Sequence, residues 1–434
     1  MASFVFERLI TKAEERQYFT IPFTVPEGIE SMVLRYTYAR HVKSEQYGFV
    51  FDEERSIIDL GLNMPGGVFV GASGSDRTAI TISPFGSSHG YESVDILPGE
   101  WEIIVGAYKV PPEGTKVVYE IELAPKVMRR FKGDLHTHTT GSDGVLTPEE
   151  LALLCRGQGL DFVFVTNHNT WFENDHLPGM SDLTMIPGME WTHYRGHTNF
   201  LGVRKPCENP FCVNTAEEAR AVIAEAKAAG ALITFNHPFC KPECGWTWGM
   251  DIFPMDAVEI WNGALMMGPN EDCLNWWHSE LCSGRKLPAV GGSDFHREGP
   301  LALPGLPTTC VYALSRSPHD IMAALVAGCC YVSYSSAGPD VKLSAGDVQM
   351  GGTAAQGASV MIKLTHIKGG DMVRIITDRA VSEVCCPPGA VEIMLPFRAA
   401  GERFVRCEVL RSLAPSVPIT RVLVSNPIYF SPEK

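Results

Sequence analysis

The sequence has no long hydrophobic run. No apolar stretch among its 434 residues approaches the length needed to span a bilayer. The opening MASFVFERLITKAEERQYF lacks the basic-then-apolar order of a secretory leader. Positive charge is also short: 36 Lys and Arg stand against 50 Asp and Glu, a formal net charge of −14. That balance argues against loose binding to nucleic acid or anionic membrane, which depends on basic patches. It does not exclude an anionic small substrate, because bound cations reverse a local field. Signatures of nucleotide cofactors are missing: there is no Walker loop, and no Gly-x-Gly-x-x-Gly follows a strand. No nucleophilic-serine elbow is present either, since GASGS and GGS lack the Gly-x-Ser-x-Gly order. The thirteen cysteines are odd in number and scattered, with adjacent pairs at Cys329–Cys330 and Cys385–Cys386. They fit reduced thiols and a cytoplasmic setting better than a disulfide framework.

What is present is the composition of an ordinary globular protein, 45% hydrophobic and 20% charged. The length predicts two or three domains. Residues 1–128 alternate apolar and polar side chains between turn signals, as in SMVLRYTYAR and KVVYEIELAPK, which predicts an N-terminal β-sandwich. Residues 129–335 alternate strand-like and helix-like runs. LDFVFVTNH reads as a buried strand. TPEELALLCRGQG and TAEEARAVIAEAKAAG read as helices with capping boxes at Thr147/Glu150 and Thr215/Glu218. ALITFNHP, DAVEIWNG and KLPAVGGSDFH read as further strands and PHDIMAALVAG as a further helix, so an α/β region built on a parallel sheet is expected. Residues 336–434 return to the β pattern and predict a C-terminal β-sandwich.

In the middle region, imidazoles and carboxylates collect where strands end. His136 and His138 stand two apart on an extended segment and so share a face. Asp294 and His296 repeat that spacing, and Glu190 and His237 end strands of their own. Residues at the carboxyl ends of strands in a βα-barrel converge on one mouth. Such a ring has few chemical uses other than holding metals, and neutral imidazole with carboxylate suits Zn, Mn or Fe. Asp134 shares the face of His136 and is expected to fix an imidazole tautomer from behind the ligands. His41, His89, His176, His278, His319 and His366 read as ordinary polar residues, as does His193.

Taken together, DLHTHTTGSDG, VTNHNT, GMEWTHYRGH, FNHPF and GGSDFH resemble the successive motifs of the PHP (polymerase and histidinol phosphatase) family, over about Phe131–Ser335. The resemblance implies a distorted (β/α)7 barrel with two or three divalent metals. It would place one metal on His136, His138, Glu190 and Asp294. A second would share Glu190 and take His197 and His237, and a third would take Asp143, His168 and His296. The second motif departs from the family's Asp-His, reading Asn167-His168. The flanking stretches HGYESVDILPGEWEIIVGAY and FVRCEVLR with LVSNPIYF look like the β-regions of the carbaryl-hydrolase-like (CehA/McbA) branch, whose namesake cleaves a carbamate.

The expected function is metal-dependent hydrolysis by a metal-activated hydroxide. The first choice of substrate is a small phosphodiester or phosphomonoester. The alternative is a carboxylic ester, amide or carbamate at the same site. A non-catalytic binding protein is the third reading, and the nearly full ligand set weighs against it. Glu190, Asp294 and Arg297 are expected to carry the reaction. Arg195 and Trp171, Trp246 and Trp248 lie near ligand candidates in sequence but read as second-rank or roofing residues. The flanking β-regions offer surfaces for a homo-oligomer.

Overall fold

A computed structural model describes residues 2–46, 48–240, 244–250, 253–414 and 418–432. The chain divides into two compact units, Met1–Val127 with Gly179–Ser181, and Met128–Pro178 with Asp182–Lys434. No helix among the described residues is long and apolar enough to cross a membrane.

The first unit contains two four-stranded antiparallel sheets. One runs Ala2–Ile10, Thr115–Pro125, Ile29–Thr37, Ala79–Ile82; the other runs Tyr18–Val25, Gly99–Lys109, Ile57–Met64, Val68–Gly74. The alternating pattern is the cause. In Thr115–Pro125 every second residue, Val117, Tyr119, Ile121 and Leu123, is buried. These side chains share one core with Phe23, Trp101, Ile103 and Val105 of the other sheet.

The second unit is built on a sheet of fifteen strands. Seven of them curl into a half-barrel in the spatial order Ala289–Gly292, Ala257–Asn262, Leu232–Asn236, Gly196–Leu201, Thr184–His193, Phe162–Val165, Arg129–Asp134. The two ends of this run approach each other at the mouth, where the His138 N–H donates to the Phe295 carbonyl at 2.8 Å. The resemblance implies a distorted (β/α)7 barrel; the curled sheet is there, and its strand–helix alternation is interrupted at two places. Thr184–His193 and Gly196–Leu201 pair antiparallel and are joined by Tyr194 and Arg195 alone, which leaves no chain for a helix. No α-helix lies between Leu232–Asn236 and Ala257–Asn262 among the described residues.

Helices α1 (Pro148–Gly157) and α2 (Ala216–Ala228) begin at capping boxes: the hydroxyls of Thr147 and Thr215 accept from the Glu150 and Glu218 N–H groups. Helix α3 (Pro269–Ser283) turns Cys273, Leu274, Trp277 and Leu281 inward. Helix α4 (Pro318–Val326) starts at the Ser317 cap.

The break expected between residues 335 and 336 is not a break in packing. Cys330–Ser333 pairs antiparallel with Thr420–Ser425, so the sheet runs on into the C-terminal strands. Asn426 reinforces the join, with its amide donating to the Ala289 and Cys330 carbonyls at 2.8 and 3.0 Å. One apolar cluster accordingly holds Trp261 and Trp277 together with Phe404, Val424 and Tyr429.

Candidate metal centre

Three short features of the sequence aim side chains into the half-barrel mouth. The extended segment after Arg129–Asp134 presents His136 and His138 on one face. The hairpin Thr184–His193/Gly196–Leu201 presents Glu190 and His197, with Glu190 opposite Asn199 in register. Two residues that follow strands, His237 and Asp294, adopt φ values of 30° and 53°. Left-handed backbone is uncommon for residues with a Cβ and costs about 1–3 kcal/mol each, so the surrounding packing must hold it. Gly292 is required for a different reason: a Cβ there would lie 2.4 Å from the His136 Cβ and 2.8 Å from Glu259 Oε1.

All nine residues expected as ligands come together. His136 Nε2 lies 3.2 Å from Glu190 Oε1 and 3.3 Å from Asp294 Oδ1, and His138 Nε2 lies 3.1 Å from the same Asp294 oxygen. Glu190 Oε1 is also approached by His197 Nδ1 at 3.2 Å and His237 Nε2 at 3.5 Å. Further out, His168 Nε2 and His296 Nε2 stand 3.4 Å apart, each 3.3–3.5 Å from Asp143 Oδ1. His136, His138 and Glu190 are fully buried, whereas the Asp143 side chain is 58% exposed. The row of donors thus runs from the interior to the surface.

The tautomers make this arrangement informative. His136 Nδ1–H donates to Glu259 Oε1 at 3.1 Å, so Nε2 turns a lone pair towards two carboxylates. That Nε2 is buried and has no hydrogen-bond partner among the described residues. His296 Nδ1–H donates to the Asp294 carbonyl, and His168 Nδ1 lies 2.6 Å from Thr192 Oγ1 and 2.7 Å from Glu190 Oε2, oxygens that call for its proton. Their Nε2 lone pairs therefore face each other and a carboxylate. Acceptors converging on acceptors repel unless positive charge lies between them. Atoms held about 2.1 Å from one ion sit about 3.0–3.4 Å apart, which is close to the spacing found here.

The titration behaviour has the same origin. Burial works against a charged His136, yet Asp294, Glu190 and Glu259 outweigh it and push the imidazole well above its ordinary value. Burial would raise Glu190, but His136, His168 and His197 hold it well below the usual carboxylate range. His138 is drawn down to about 4, chiefly by burial. The cluster demands cations, and either imidazole protons or divalent metals can supply them.

One assignment changes. Asp134 does not orient an imidazole: its carboxylate accepts from the backbone N–H groups of His136, Ser293 and Gly305, tying three segments together. Burial raises it to about 6, against those bonds. The orienting carboxylate is Glu259, which also accepts from the His237 N–H and from Asn262 Nδ2. Its signal in the sequence was an acid inside the apolar run AVEIW, a position that needs a buried partner. Asn167 accepts from the Thr139 N–H at 2.8 Å and from Ser142, bracing the turn that carries Asp143.

Around the mouth, Arg297 is exposed beside His296 and makes no hydrogen bond or ion pair with another described residue. Arg195 is engaged elsewhere, its guanidinium 4.0 Å from the Trp248 ring centroid and donating to the Thr247 carbonyl. Trp246 and Trp248 belong to a core with Phe235 and Phe253, and Trp171 packs against it, which matches their reading as packing residues. The seven histidines set aside join no donor cluster among the described residues. The cysteines differ from expectation at one place: Cys240 and Cys244 are bridged, while the other eleven are free.

No protein-family model matches the chain, and neither does any curated protein. Among solved structures, the chain is similar to a two-domain protein from Bacteroides vulgatus containing a predicted PHP-like metal-dependent phosphoesterase. The TM-score is 0.40 at 17% identity, over 69% of this chain and 96% of that one. A protein from Bifidobacterium adolescentis named for a metal-dependent phosphoesterase gives 0.32 at 16% identity, over 44% and 95%. An amidohydrolase from Chromobacterium violaceum with bound sulfate and no metal gives 0.28 at 16% identity, over 39% and 93%. Likeness at this level assigns no activity, which has to be argued from the side chains themselves.

Proposed function

We propose that this chain is a metal-dependent hydrolase, and that its substrate is a small phosphodiester or phosphomonoester. The observation that carries the reading is the convergence of acceptor atoms at three adjoining positions, His136/His138/Asp294, Glu190/His197/His237 and His138/Asp143/His168/His296. The donor set is imidazole and carboxylate, which fits Mn, Fe or Zn. Divalent ions bound there would polarise a phosphoryl or carbonyl oxygen and lower the pKa of water. Glu190 reaches two of the positions, since its Oε1 faces both His136 and His197. Asn236 donates to Glu190 Oε1 at 2.8 Å and fixes its orientation. The outer position opens to solvent at Asp143, so substrate would enter on that side, where the unpaired Arg297 could hold a phosphate oxygen in bidentate fashion. In the same reading the half-barrel is a divergent PHP-type barrel, and residues 336–434 are a β-sandwich fused to it.

The preference for phosphate follows from charge. A phosphate ester presents several anionic oxygens to three cation positions and a guanidinium, whereas a neutral carbamate presents one carbonyl oxygen. The test is kcat/KM on the metal-loaded protein for an aryl phosphodiester, monoester, carbamate and acetate sharing one leaving group. A phosphate ester should be turned over fastest. A carbamate or carboxylic ester preferred by about tenfold, roughly 1.4 kcal/mol in the transition state, would transfer the site to that class instead.

A further inference from the structure

We propose that Cys240, Cys244 and His237 form a second kind of metal site, one that takes a thiophilic divalent cation such as zinc when the Cys240–Cys244 bridge is reduced. The bridge closes over a separation of four residues with its Cα atoms 5.6 Å apart. The C-x3-C spacing is one used by zinc-binding thiolate pairs. The sulfurs and a ring nitrogen of His237 lie within 4.8 Å of one another, so small side-chain rotations would bring three donors onto one ion.

The state of His237 is the second, independent observation. Its ring is buried, and Nε2 faces Glu190 Oε1 at 3.5 Å. Nδ1 is buried as well and has no hydrogen-bond partner among the described residues. Histidines that hold a metal through one nitrogen normally donate the other N–H to an acceptor. His136 does so to Glu259 and His296 to the Asp294 carbonyl. His237 has no such acceptor, which leaves Nδ1 as the nitrogen available to the sulfur side. No other cysteine among the described residues joins a histidine in a donor cluster. The two sites differ in donor chemistry: imidazole and carboxylate in one, thiolate with imidazole in the other, and thiolates select softer cations.

The chemistry balances with a small dithiol as reductant. Two electrons and two protons pass from the dithiol to the bridge, the dithiol closes to its own cyclic disulfide, and Cys240 and Cys244 become thiols. A divalent cation then displaces both thiol protons and binds two thiolates and His237 Nδ1; where Nε2 already holds a metal, the Nδ1 proton leaves as a third and the imidazolate bridges the two cations. Oxidation would close the site again.

Cobalt(II) is the probe, because a thiolate ligand gives a near-ultraviolet charge-transfer band that imidazole and carboxylate ligands do not. Full-length protein stripped of metal would be titrated in its oxidised form and after dithiol reduction and desalting. The reduced wild type should develop the band, and the oxidised wild type should not. The band should be absent from reduced Cys240→Ser/Cys244→Ser, with circular dichroism confirming its fold. His237→Ala should weaken the affinity read from the band by about tenfold or more. Absence of the band in the reduced wild type would overturn the proposal, as would an undiminished band in the double serine variant. An unchanged affinity in His237→Ala would remove the imidazole from the site. None of these readouts depends on hydrolysis, so they stand whether or not the activity proposed above is found.

Discussion

Glu259→Gln changes one atom and puts the tautomer argument at risk. Each Glu259 oxygen accepts: Oε1 from His136 Nδ1–H at 3.1 Å, and Oε2 from the His237 N–H at 2.9 Å and Asn262 Nδ2 at 3.1 Å. A glutamine must turn its NH2 towards one of these donors. If it faces His136, the imidazole answers by moving its proton to Nε2, the nitrogen aimed at Glu190 and Asp294, and that nitrogen can no longer ligate. If it faces His237 and Asn262, buried donors oppose one another at a cost of about 1–3 kcal/mol. Either outcome should weaken metal binding by about 10- to 100-fold, or roughly 1.4–2.7 kcal/mol. Melting of the metal-free protein should fall by only a few degrees, on the order of 1–3 kcal/mol. Calorimetric titration of metal into stripped wild-type and variant protein measures the first effect, and thermal denaturation without metal measures the second. Metal affinity within about twofold of wild type, in a protein that melts normally, would refute the role given to Glu259 and the tautomer given to His136.

Four residues supply the other predictions. Glu190→Ala should empty two metal positions and His237→Ala one; elemental analysis showing equal loss in both would refute the sharing of Glu190. Arg297→Ala should lower kcat/KM for a phosphate ester by about 10- to 100-fold, mostly through KM, as expected for a charge-assisted hydrogen bond worth about 1.5–3 kcal/mol; a change under about twofold counts against it. Glu408 is 1% exposed between Arg406 and Arg421, at 2.6 and 2.7 Å. Burial would raise its carboxyl, but the two guanidiniums hold it below 4.5, so its stabilisation is present above about pH 4.5 and fades as pH falls through the folded value. Glu408→Gln should therefore cost about 3 kcal/mol at pH 7, with the gap to wild type narrowing in acid; denaturant unfolding at both pH values would expose a gap that stays constant or widens.

The site was more legible than the architecture. His136/His138 and Asp294/His296 could be placed because a two-residue spacing on extended chain fixes a shared face, and strand-end histidines are visible against apolar runs. The capping boxes at Thr147 and Thr215 were legible because their bonds are local. Glu259 could not be assigned from the sequence, because its partner His136 lies 123 residues away. The role expected of Asp134 is wrong, since shared parity with His136 cannot tell a carboxylate that binds backbone N–H groups from one that binds a ring. Helix α3 was not read from the sequence: its inward positions at 273, 274, 277 and 281 do keep helical spacing, but tryptophans and cysteines interrupt any clear apolar stripe. The pairing of Cys330–Ser333 with Thr420–Ser425 leaves no local trace, so the C-terminal strands looked like a separate domain.

Metal content is the most direct test of the central claim. Protein stripped by chelation, reconstituted with Mn, Fe or Zn at neutral pH and freed of loose ions should retain about two or more equivalents per chain by elemental analysis. Retention below about one equivalent by a protein that is folded under the same conditions would contradict it.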